Sequence, residues 1–396
     1  MPHATATAVI DGTTVSYRDP KRRYYLLSLV IPLLTFGAWD AVTRTGLDVF
    51  WYLGPFWVLI GIPLVDTLVG VEKGNAPEWA EPQLEDDRYY RVLTYLFAPL
   101  QYGGFFFACW YLSTHHPSAF ATVGLALTVG TVGGIGIANA HELGHKKPSI
   151  ERWWAKVVLA QTAYGHFEIE HNRGHHTRVA TPEDPATSRF GESFWAFFPR
   201  SVIGTARSGW ALERKRLAFR DQGPWTVHND VLNAWAMSVV LFGATVAVFG
   251  PRLIPFLIIQ AVFGFSLLEV VNYLEHYGLL RQRDEQGRYE RTRPCHSWNS
   301  DHIASNLLLY GLERHSDHHA NPTRRYQVLR TFDEAPQLPS GYGTMIGLAY
   351  LTPLWRKVMD PKVLAVYDGD ITRVNVDPRK RDAIYARYGA EVSPPT

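Results

Sequence analysis

Cysteine is almost absent from this chain of 396 residues, which contains only Cys109 and Cys295. Two cysteines cannot form a disulfide framework or supply the four thiolates of an iron–sulfur cluster, and neither lies in a Cys-x-x-Cys pair. An excess of charge of one sign is also missing, because 39 Lys and Arg residues nearly balance 37 Asp and Glu residues. Nucleic-acid binding typically requires a strongly basic domain, so this composition argues against a nucleic-acid partner.

Long apolar runs make up much of the chain, although residues 1–20 are polar and lack the apolar core of a signal peptide. Six runs of about 20 residues lie near 24–42, 49–70, 91–112, 119–140, 230–250 and 253–275. A helix rises about 1.5 Å per residue, so each run is long enough to cross a hydrocarbon core of about 30 Å. The sequence therefore predicts an all-α, polytopic membrane protein with six transmembrane helices.

The connections between these runs alternate in length. Those near 43–48, 113–118 and 251–252 are short, whereas 71–90 and 141–229 are long and highly charged. The first run follows three basic residues, and the longest connection is rich in arginine and lysine. By the positive-inside rule, we expect the N-terminus, the long connections and the C-terminal region to lie in the cytoplasm.

Histidine is concentrated in four blocks, which contain nine of the 16 histidines. One block ends the fourth run, one lies in the longest connection, one ends the sixth run and one lies in the C-terminal region. The nine are His141, His145, His171, His175, His176, His276, His315, His318 and His319. Because the fourth and sixth runs cross the membrane in the same direction, we expect all four blocks on one side.

The spacing within the blocks is typical of metal ligands. Residues four apart share a helical face, so His141 and His145 are expected to hold one ion. His171 and His175 repeat that spacing, and His176 turns about 100° away, toward a second ion. Nine imidazoles are too many for one ion and suit two ions of four or five ligands each. Imidazole binds iron, copper, zinc and nickel, so the residue type does not identify the metal.

Two other classes of protein remain open at this point. The segment His141-Glu142-Leu-Gly-His145 matches the zinc-metalloprotease pattern, with Glu142 as the base. A membrane protease of this kind explains two histidines and leaves seven unexplained. The other class is a non-enzymatic metal-binding or transport protein; transport would need ionisable groups in the middle of the spans, and the first five runs contain almost none.

Two segments resemble a known family closely. They are Asn272-Tyr-Leu-Glu-His-Tyr-Gly278 and the run from Leu312 to Gln327 around the last histidine block. Both resemble the integral-membrane alkane 1-monooxygenases, the rubredoxin-dependent alkane omega-hydroxylases. These belong to a superfamily of histidine-rich membrane di-iron enzymes that includes the fatty acid desaturases. The resemblance covers about residues 20–375, and six spans agree with it, since desaturases usually have four.

The resemblance implies an activity and its partners. Two iron ions bound by the nine histidines would use O2 to hydroxylate the terminal carbon of medium-chain n-alkanes from the bilayer, forming 1-alkanols. Reduced rubredoxin, regenerated by an NAD(P)H-dependent reductase, would supply two electrons. Within the superfamily, a hydroxylase, epoxidase or desaturase of an alkyl-arene or fatty acyl chain is the alternative.

The resemblance also implies a location and a domain organisation. We expect a multi-pass protein of the bacterial inner membrane, surrounded by lipid, with its active site on the cytoplasmic side. A single hydroxylase domain would occupy 1–375, with cytoplasmic parts at 141–229 and 276–375 carrying the dimetal site. The remaining 376–396 would be a tail or a linker, to which a rubredoxin domain could be fused.

Several polar residues are candidates to hold the free ring nitrogens of the ligands. In the sixth run, Glu269 and Asn272 share a helical face with His276, and a carboxylate inside a membrane span is usually functional. We therefore expect Glu269 near the metal centre as a hydrogen-bond acceptor. Weaker candidates of the same kind are Asp66, Asp301 and Asp317.

Two further sets of residues are candidates for the substrate and for the electron donor. Aromatic residues of the first two runs could line a passage for an alkane that enters from the lipid: Trp39, Phe50, Trp51 and Trp57. Rubredoxins are small and acidic, and would seek a basic surface. Residues that could form it are Arg214, Lys215, Arg216, Arg324 and Arg325.

Overall fold

Six helices of the computed structural model, which describes residues 5–389, are long and apolar enough to cross a membrane. We call them spans 1 to 6: Arg22–Thr45, Asp48–Val69, Arg88–His115, Ala119–Gly144, Asp230–Phe249 and Pro251–His276. Each begins and ends within four residues of a predicted apolar run. The prediction of an all-α polytopic protein with six spans is therefore confirmed.

Spans 1 and 2 are the most irregular of the six. Span 1 begins as a 3₁₀ helix at Arg22–Leu33, which contains Pro32, and continues as an α-helix at Leu34–Thr45. Span 2 passes from a 3₁₀ helix through a short α-helix into a π-helical turn at Trp57–Gly61, and then into an α-helix at Ile62–Val69. Proline removes a backbone donor and clashes with the preceding turn, which accounts for the break in span 1.

Spans 4 and 6 form the central helix pair, and glycine lets their backbones approach closely. A Cβ on Gly130 would lie 2.6 Å from the carbonyl oxygen of Gln260, and one on Gly134 would lie 2.8 Å from that of Gly264. Small residues at a helix interface permit such contact in membranes. This packing brings the ends of the two helices, with His141 and His276, side by side.

The remaining helices lie between spans 2 and 3, between spans 4 and 5, and after span 6; we call the last two groups the cap. The α-helices outside the spans are Glu81–Glu85, Ser149–Ala160, Phe167–Glu170, His176–Arg178, Phe194–Ala218, Ile303–Leu308, His315–Ala320, Tyr342–Tyr350, Thr352–Val366 and Arg381–Tyr388. A π-helical turn occupies His171–His175. The largest buried apolar cluster joins the cap to the spans, with Tyr273, Trp298, Tyr342 and Trp355 among its members.

The two ends of the described chain contain structure that the sequence analysis did not predict. Strands β1 (Thr5–Ile10) and β2 (Thr13–Arg18) form an antiparallel hairpin. Its turn, Asp11-Gly12, has positive φ at both residues, as a tight two-residue hairpin requires. Near the other end, Ile384 of helix Arg381–Tyr388 is buried against Gly191. The end of the expected tail, residues 390–396, lies outside the described residues.

Candidate metal centre

The nine histidines of the four blocks converge where spans 4 and 6 meet the cap. His141 lies in the last turn of span 4, and His276 is the last residue of span 6. The turn at His171–His175 and the helix at His315–Ala320 bring the remaining blocks over these two ends. Four segments that are distant in sequence therefore supply one buried cluster of imidazoles.

The cluster divides into two groups, and within each the ring nitrogens lie within 4.8 Å of one another. The five-histidine group consists of His141, His145, His171, His176 and His318. The four-histidine group consists of His175, His276, His315 and His319. Each group could hold a metal ion. The division corresponds to the two ions of four or five ligands that the number of histidines predicts.

The i,i+4 spacing in the second block predicted that His171 pairs with His175 on one helical face. The structure places His171 with His176 instead, with their Nε2 atoms 3.1 Å apart, and assigns His175 to the other group. The reason is the π-helical turn at His171–His175. A π-helix bonds residue i to residue i+5 and is wound wider than an α-helix, so the i,i+4 register of a regular α-helix does not hold in this turn. The prediction of an i,i+4 pair here was wrong.

Several ring nitrogens point at a common space rather than at a protein partner. The Nε2 atom of His176 lies 3.0 Å from that of His318, and the Nε2 atoms of His315 and His319 are 2.8 Å apart. Nε2 of His141 and both ring nitrogens of His276 are buried without a hydrogen-bond partner. Buried polar atoms are rarely left unsatisfied. Metal ions between these nitrogens would satisfy them, so the donor set fits the cofactor.

Burial favours the neutral form of six of the seven clustered histidines outside the spans; the seventh is His175, where Asp184 outweighs burial and raises the pKa. Burial lowers the pKa of the six well below the ordinary value, and neighbouring imidazoles lower it further for all six. These are His145, His171, His176, His315, His318 and His319. A neutral imidazole is the form that binds a metal, so the lowered pKa values of these six histidines favour metal binding.

One carboxylate that the sequence analysis missed contacts a member of the four-histidine group. Asp184 Oδ2 lies 2.8 Å from His175 Nδ1 and accepts a hydrogen bond of 2.6 Å from Thr187 Oγ1. Burial alone would raise the pKa of Asp184, but His175 and Thr187 lower it to about 2. Asp184 thereby directs His175 Nε2 toward the group. It lies nine residues after His175 in a loop, so no helical spacing indicated it.

A second carboxylate, Glu275, lies beside the same group. Its Oε2 atom is 3.2 Å from His315 Nε2, and its Oε1 atom accepts a hydrogen bond of 2.8 Å from Tyr342. Glu275 is buried and immediately precedes His276 in the chain. Glu269 was predicted instead, because it shares a helical face with His276, whereas Glu275 directly precedes that histidine and points to another face.

The predicted partners of the ring nitrogens have other hydrogen-bond partners. Glu269 is buried and accepts a hydrogen bond of 2.6 Å from Tyr164. Asn272, also buried, lies one helical turn further along span 6. Within this polar cluster inside the helices, Glu269 lies about two helical turns from His276 and Asn272 about one turn.

The three aspartates proposed as weaker candidates tie together the segments around the histidines. Asp66 accepts hydrogen bonds from the backbone N–H and the hydroxyl of Ser305, which joins span 2 to the cap. Asp301 accepts a hydrogen bond from the Thr331 hydroxyl. Asp317, between His315 and His318, accepts two from Arg324. Their contacts hold the backbone that carries the histidines.

The predicted basic surface is only partly available. Arg216 pairs with the buried Glu213. Arg324 pairs with Asp317, and Arg325 with Glu151. Carboxylates therefore neutralise three of the five candidates. Arg214 and Lys215 are exposed on helix Phe194–Ala218.

The aromatic candidates of spans 1 and 2 differ in position. Trp39 is exposed and packs against Phe107. Trp51 is buried against Tyr111, and Phe50 precedes it at the start of span 2, the end opposite the one that meets the cap. Trp57 lies in the π-helical turn, where its ring covers Gly61.

A narrow apolar cavity lies beside the histidine cluster. Its volume is about 50 Å³, and spans 2, 4 and 6 surround it together with cap residues. Its lining is Val58, Ile62, Gly134, Ile135, Ala138, Leu267, Leu268, Val271, Leu309, Leu312, Tyr342, Gly343 and Ile346. Two lining residues, Ala138 and Leu312, each lie three residues before a histidine of the cluster, His141 and His315 respectively. Tyr342 of the lining contacts Glu275, which lies beside His315, so the cavity adjoins the four-histidine group.

A wider apolar groove of about 750 Å³ lies between spans 1 and 2 and helix Ile303–Leu308. Leu27, Val30 and Trp57 contribute to its wall. Trp57 and Leu308 line the groove. Their chain neighbours Val58 and Leu309 line the cavity. A thin apolar partition therefore separates the two spaces.

Comparison with known proteins places the chain in a family. The fatty acid desaturase family model matches residues 118–349. The chain is 44% identical over 384 residues to alkane 1-monooxygenase 1 of Alcanivorax borkumensis, covering 97% of this chain and 95% of that protein. It is 45% identical to the alkane 1-monooxygenases of Ectopseudomonas oleovorans and Pseudomonas putida, covering 96% of this chain and 95% and 94% of those proteins. The chain belongs to the alkane 1-monooxygenase family, within the fatty acid desaturase family.

Proposed function

We propose that this enzyme hydroxylates the terminal carbon of n-alkanes to give 1-alkanols, using O2 and two electrons from reduced rubredoxin at a non-haem di-iron centre. The observation that carries the proposal is the division of nine clustered histidines, seven of them buried, into groups of five and four beside an apolar cavity. The names of the relatives support the same reaction, since all three are alkane 1-monooxygenases.

An unactivated methyl group offers no charge, acidic proton or leaving group on which side chains could act. A pair of iron ions, when bound, supplies the O2-dependent oxidation that the side chains cannot perform. The five-histidine and four-histidine groups would each hold one ion. Asp184 orients His175 through its hydrogen bond, and the buried surroundings of the cluster keep water out.

The arrangement around His141 and His145 argues against the zinc protease. A catalytic zinc ion takes three protein ligands and leaves one position open, whereas three further histidines crowd these two. Glu142, which would have to act as the base, instead forms a buried ion pair of 3.1 Å with Lys146.

The cavity supports a hydrocarbon as the substrate. Its lining is apolar except for Tyr342, whose hydroxyl is bonded to Glu275. A fatty acid would leave its carboxylate without a cationic partner among these lining residues, at a high desolvation cost. An alkane needs only apolar contact. The cavity walls would hold the chain so that its end reaches the histidine groups.

The groove between spans 1 and 2 supports entry of the substrate from the lipid. Alkanes concentrate in the bilayer, and the wall of the groove is mostly apolar side chains of membrane spans. A small movement of the partition formed by Trp57, Val58, Leu308 and Leu309 would join the groove to the cavity. Of the four predicted channel residues, Trp57 lies at this position, and it retains that role in our proposal.

Electrons would reach the centre from a separate protein, reduced rubredoxin, which an NAD(P)H-dependent reductase regenerates. His145 and His176 are only half-buried, so the five-histidine group lies nearer the cap surface than the four-histidine group. A donor seated above these two rings would have the shortest path. The basic residues at 21–23 support placing the cap on the cytoplasmic side of the inner membrane.

The test is turnover by the purified protein in lipid nanodiscs. We expect about two irons per chain and formation of 1-octanol from n-octane with O2 and reduced rubredoxin, measured by mass spectrometry of the metal and gas chromatography of the product. Dodecanoate and an alkylbenzene, offered under the same conditions, should react more slowly. One zinc per chain with peptide cleavage that requires Glu142 would contradict the proposal, as would preference for the fatty acid.

A further inference from the structure

Large apolar side chains are exposed in the connection between helix Phe194–Ala218 and span 5. Phe219, Trp225 and Val227 are 81%, 80% and 80% exposed. This connection lies outside the six membrane spans. Exposed apolar side chains that cluster in this way mark a surface that contacts another apolar phase or molecule.

Ring contacts fix the level of this connection relative to the membrane. The ring of Trp225 lies 5.2 Å from that of Trp210, which stacks on Trp235 at 6.1 Å. Trp235 is five residues into span 5, about 7.5 Å along the helix from its first residue. Trp225 therefore lies at the height at which span 5 enters the membrane.

Two other contacts join the surrounding elements to the membrane spans. In helix Phe194–Ala218, Phe198 stacks on Phe265 of span 6 with a ring separation of 5.9 Å. Lys156 forms an ion pair of 2.7 Å with Asp230, the first residue of span 5. The helix thus lies alongside membrane spans, and the base of the connection is anchored.

The charges beside the exposed apolar residues are mainly positive. Arg214, Lys215 and Arg220 are exposed, whereas Asp221 is the exposed acidic residue among 214–229. Tryptophan is enriched at membrane interfaces. Basic residues near an anionic lipid surface are attracted to its headgroups, and an apolar face with basic residues is typical of segments that lie in the interface.

We infer that this patch, formed by Arg214, Lys215, Phe219, Arg220, Trp225 and Val227, is an interfacial anchor seated in a layer of anionic phospholipid headgroups. Phe219, Trp225 and Val227 enter the boundary between headgroups and acyl chains, and the three cations contact lipid phosphates. Arg214 and Lys215, the exposed members of the predicted rubredoxin surface, then face lipid rather than the electron donor. The inference depends on the membrane location and not on the proposed reaction.

The depth of the patch is measured with a fluorophore attached to Val227→Cys in the full chain, on a Cys295→Ser background, in nanodiscs of phosphatidylcholine with phosphatidylglycerol. Gln286→Cys, on an exposed loop of the cap, is the matched control. We expect nitroxide-labelled lipid to quench the label at 227 and not the label at 286. Iodide in the buffer should quench the label at 227 severalfold less. Equal iodide quenching at the two sites would overturn the inference.

The lipid preference is measured by mass spectrometry of the lipids that remain bound after extraction from mixed nanodiscs. The triple variant Arg214→Gln/Lys215→Gln/Arg220→Gln should retain less phosphatidylglycerol, by up to about fivefold for each charge removed. Unchanged retention together with a higher KM for reduced rubredoxin would overturn the inference in favour of a protein docking surface.

Discussion

Replacing Asp184 by asparagine isolates the contribution of one buried carboxylate to the metal centre. Asp184 accepts hydrogen bonds from His175 Nδ1 and Thr187 through Oδ2, and from the backbone N–H of Ala186 through Oδ1. Asparagine has nearly the same shape but offers only one acceptor oxygen. If its oxygen stays with Ala186, its amide N–H2 faces His175 Nδ1. That ring nitrogen must then accept, and the proton moves to Nε2, the atom that faces the four-histidine group.

The opposite orientation of the asparagine is also unfavourable, because its N–H2 would then face the N–H of Ala186 in a buried place. Either way the structure loses one charge-assisted hydrogen bond, worth about 1.5–3 kcal/mol. Changes to groups that orient metal-binding histidines typically lower metal affinity or activity about 10-fold to 100-fold. The two ranges agree, since 1.4 kcal/mol corresponds to about one factor of ten. We expect Asp184→Asn to weaken metal binding within this range.

The assay is competition with a chelator, followed by metal analysis of the protein in nanodiscs and by alkane turnover. Glu192→Gln is the matched control, since Glu192 is an equally buried carboxylate that pairs with Arg200 rather than with a histidine. It should lower the unfolding temperature without changing metal affinity. If the Asp184→Asn variant binds metal as tightly as the unchanged protein and oxidises alkanes as fast, Asp184 does not orient His175.

Three further outcomes are expected. His141→Ala and His315→Ala, one from each group, should each lower the iron content and abolish turnover; full activity in either would refute its ligand role. Val58→Phe narrows the apolar cavity and should shift product formation toward shorter alkanes, measured by competition between n-hexane and n-dodecane. Burial and Asp66 raise the pKa of Glu313 to about 8, above about 4.3 in the unfolded chain. The folded chain keeps a proton that the unfolded chain releases, so stability should fall as the pH rises through this interval, and Glu313→Gln should flatten the dependence of the unfolding temperature between pH values of about 5 and 9.

The spans could be predicted because membrane helices follow from local composition. An apolar run of sufficient length has few alternatives in a bilayer, so the positions of all six agree with the structure. The internal form of spans 1 and 2 could not be predicted as easily. The sequence shows Pro32, but the π-helical turn at Trp57–Gly61 depends on how neighbouring side chains pack. The hairpin at the N-terminus was predictable from Asp11-Gly12 between strand-forming residues, and was overlooked.

The sequence was sufficient to predict which histidines come together, but not how they divide into groups or which carboxylates contact them. Block spacing identified nine residues that the fold brings together in two groups. The assumption of a regular α-helix then paired His171 with His175, whereas the π-helical turn pairs His171 with His176. Asp184 and Glu275 were missed because contact with a histidine across the fold leaves no spacing pattern in the sequence.

The assignment of neighbouring histidines to different groups has a mechanical consequence. His175 and His176 are adjacent in the chain but belong to different groups, and so do His318 and His319. Two short segments therefore each hold part of both groups. A displacement of either segment would move members of both histidine groups at once, so the two groups are coupled through the backbone. Asp317 lies in the second segment and ties it to the Arg324 side chain and the Arg330 backbone, so these bonds stabilise the positions of histidines from both groups rather than from one.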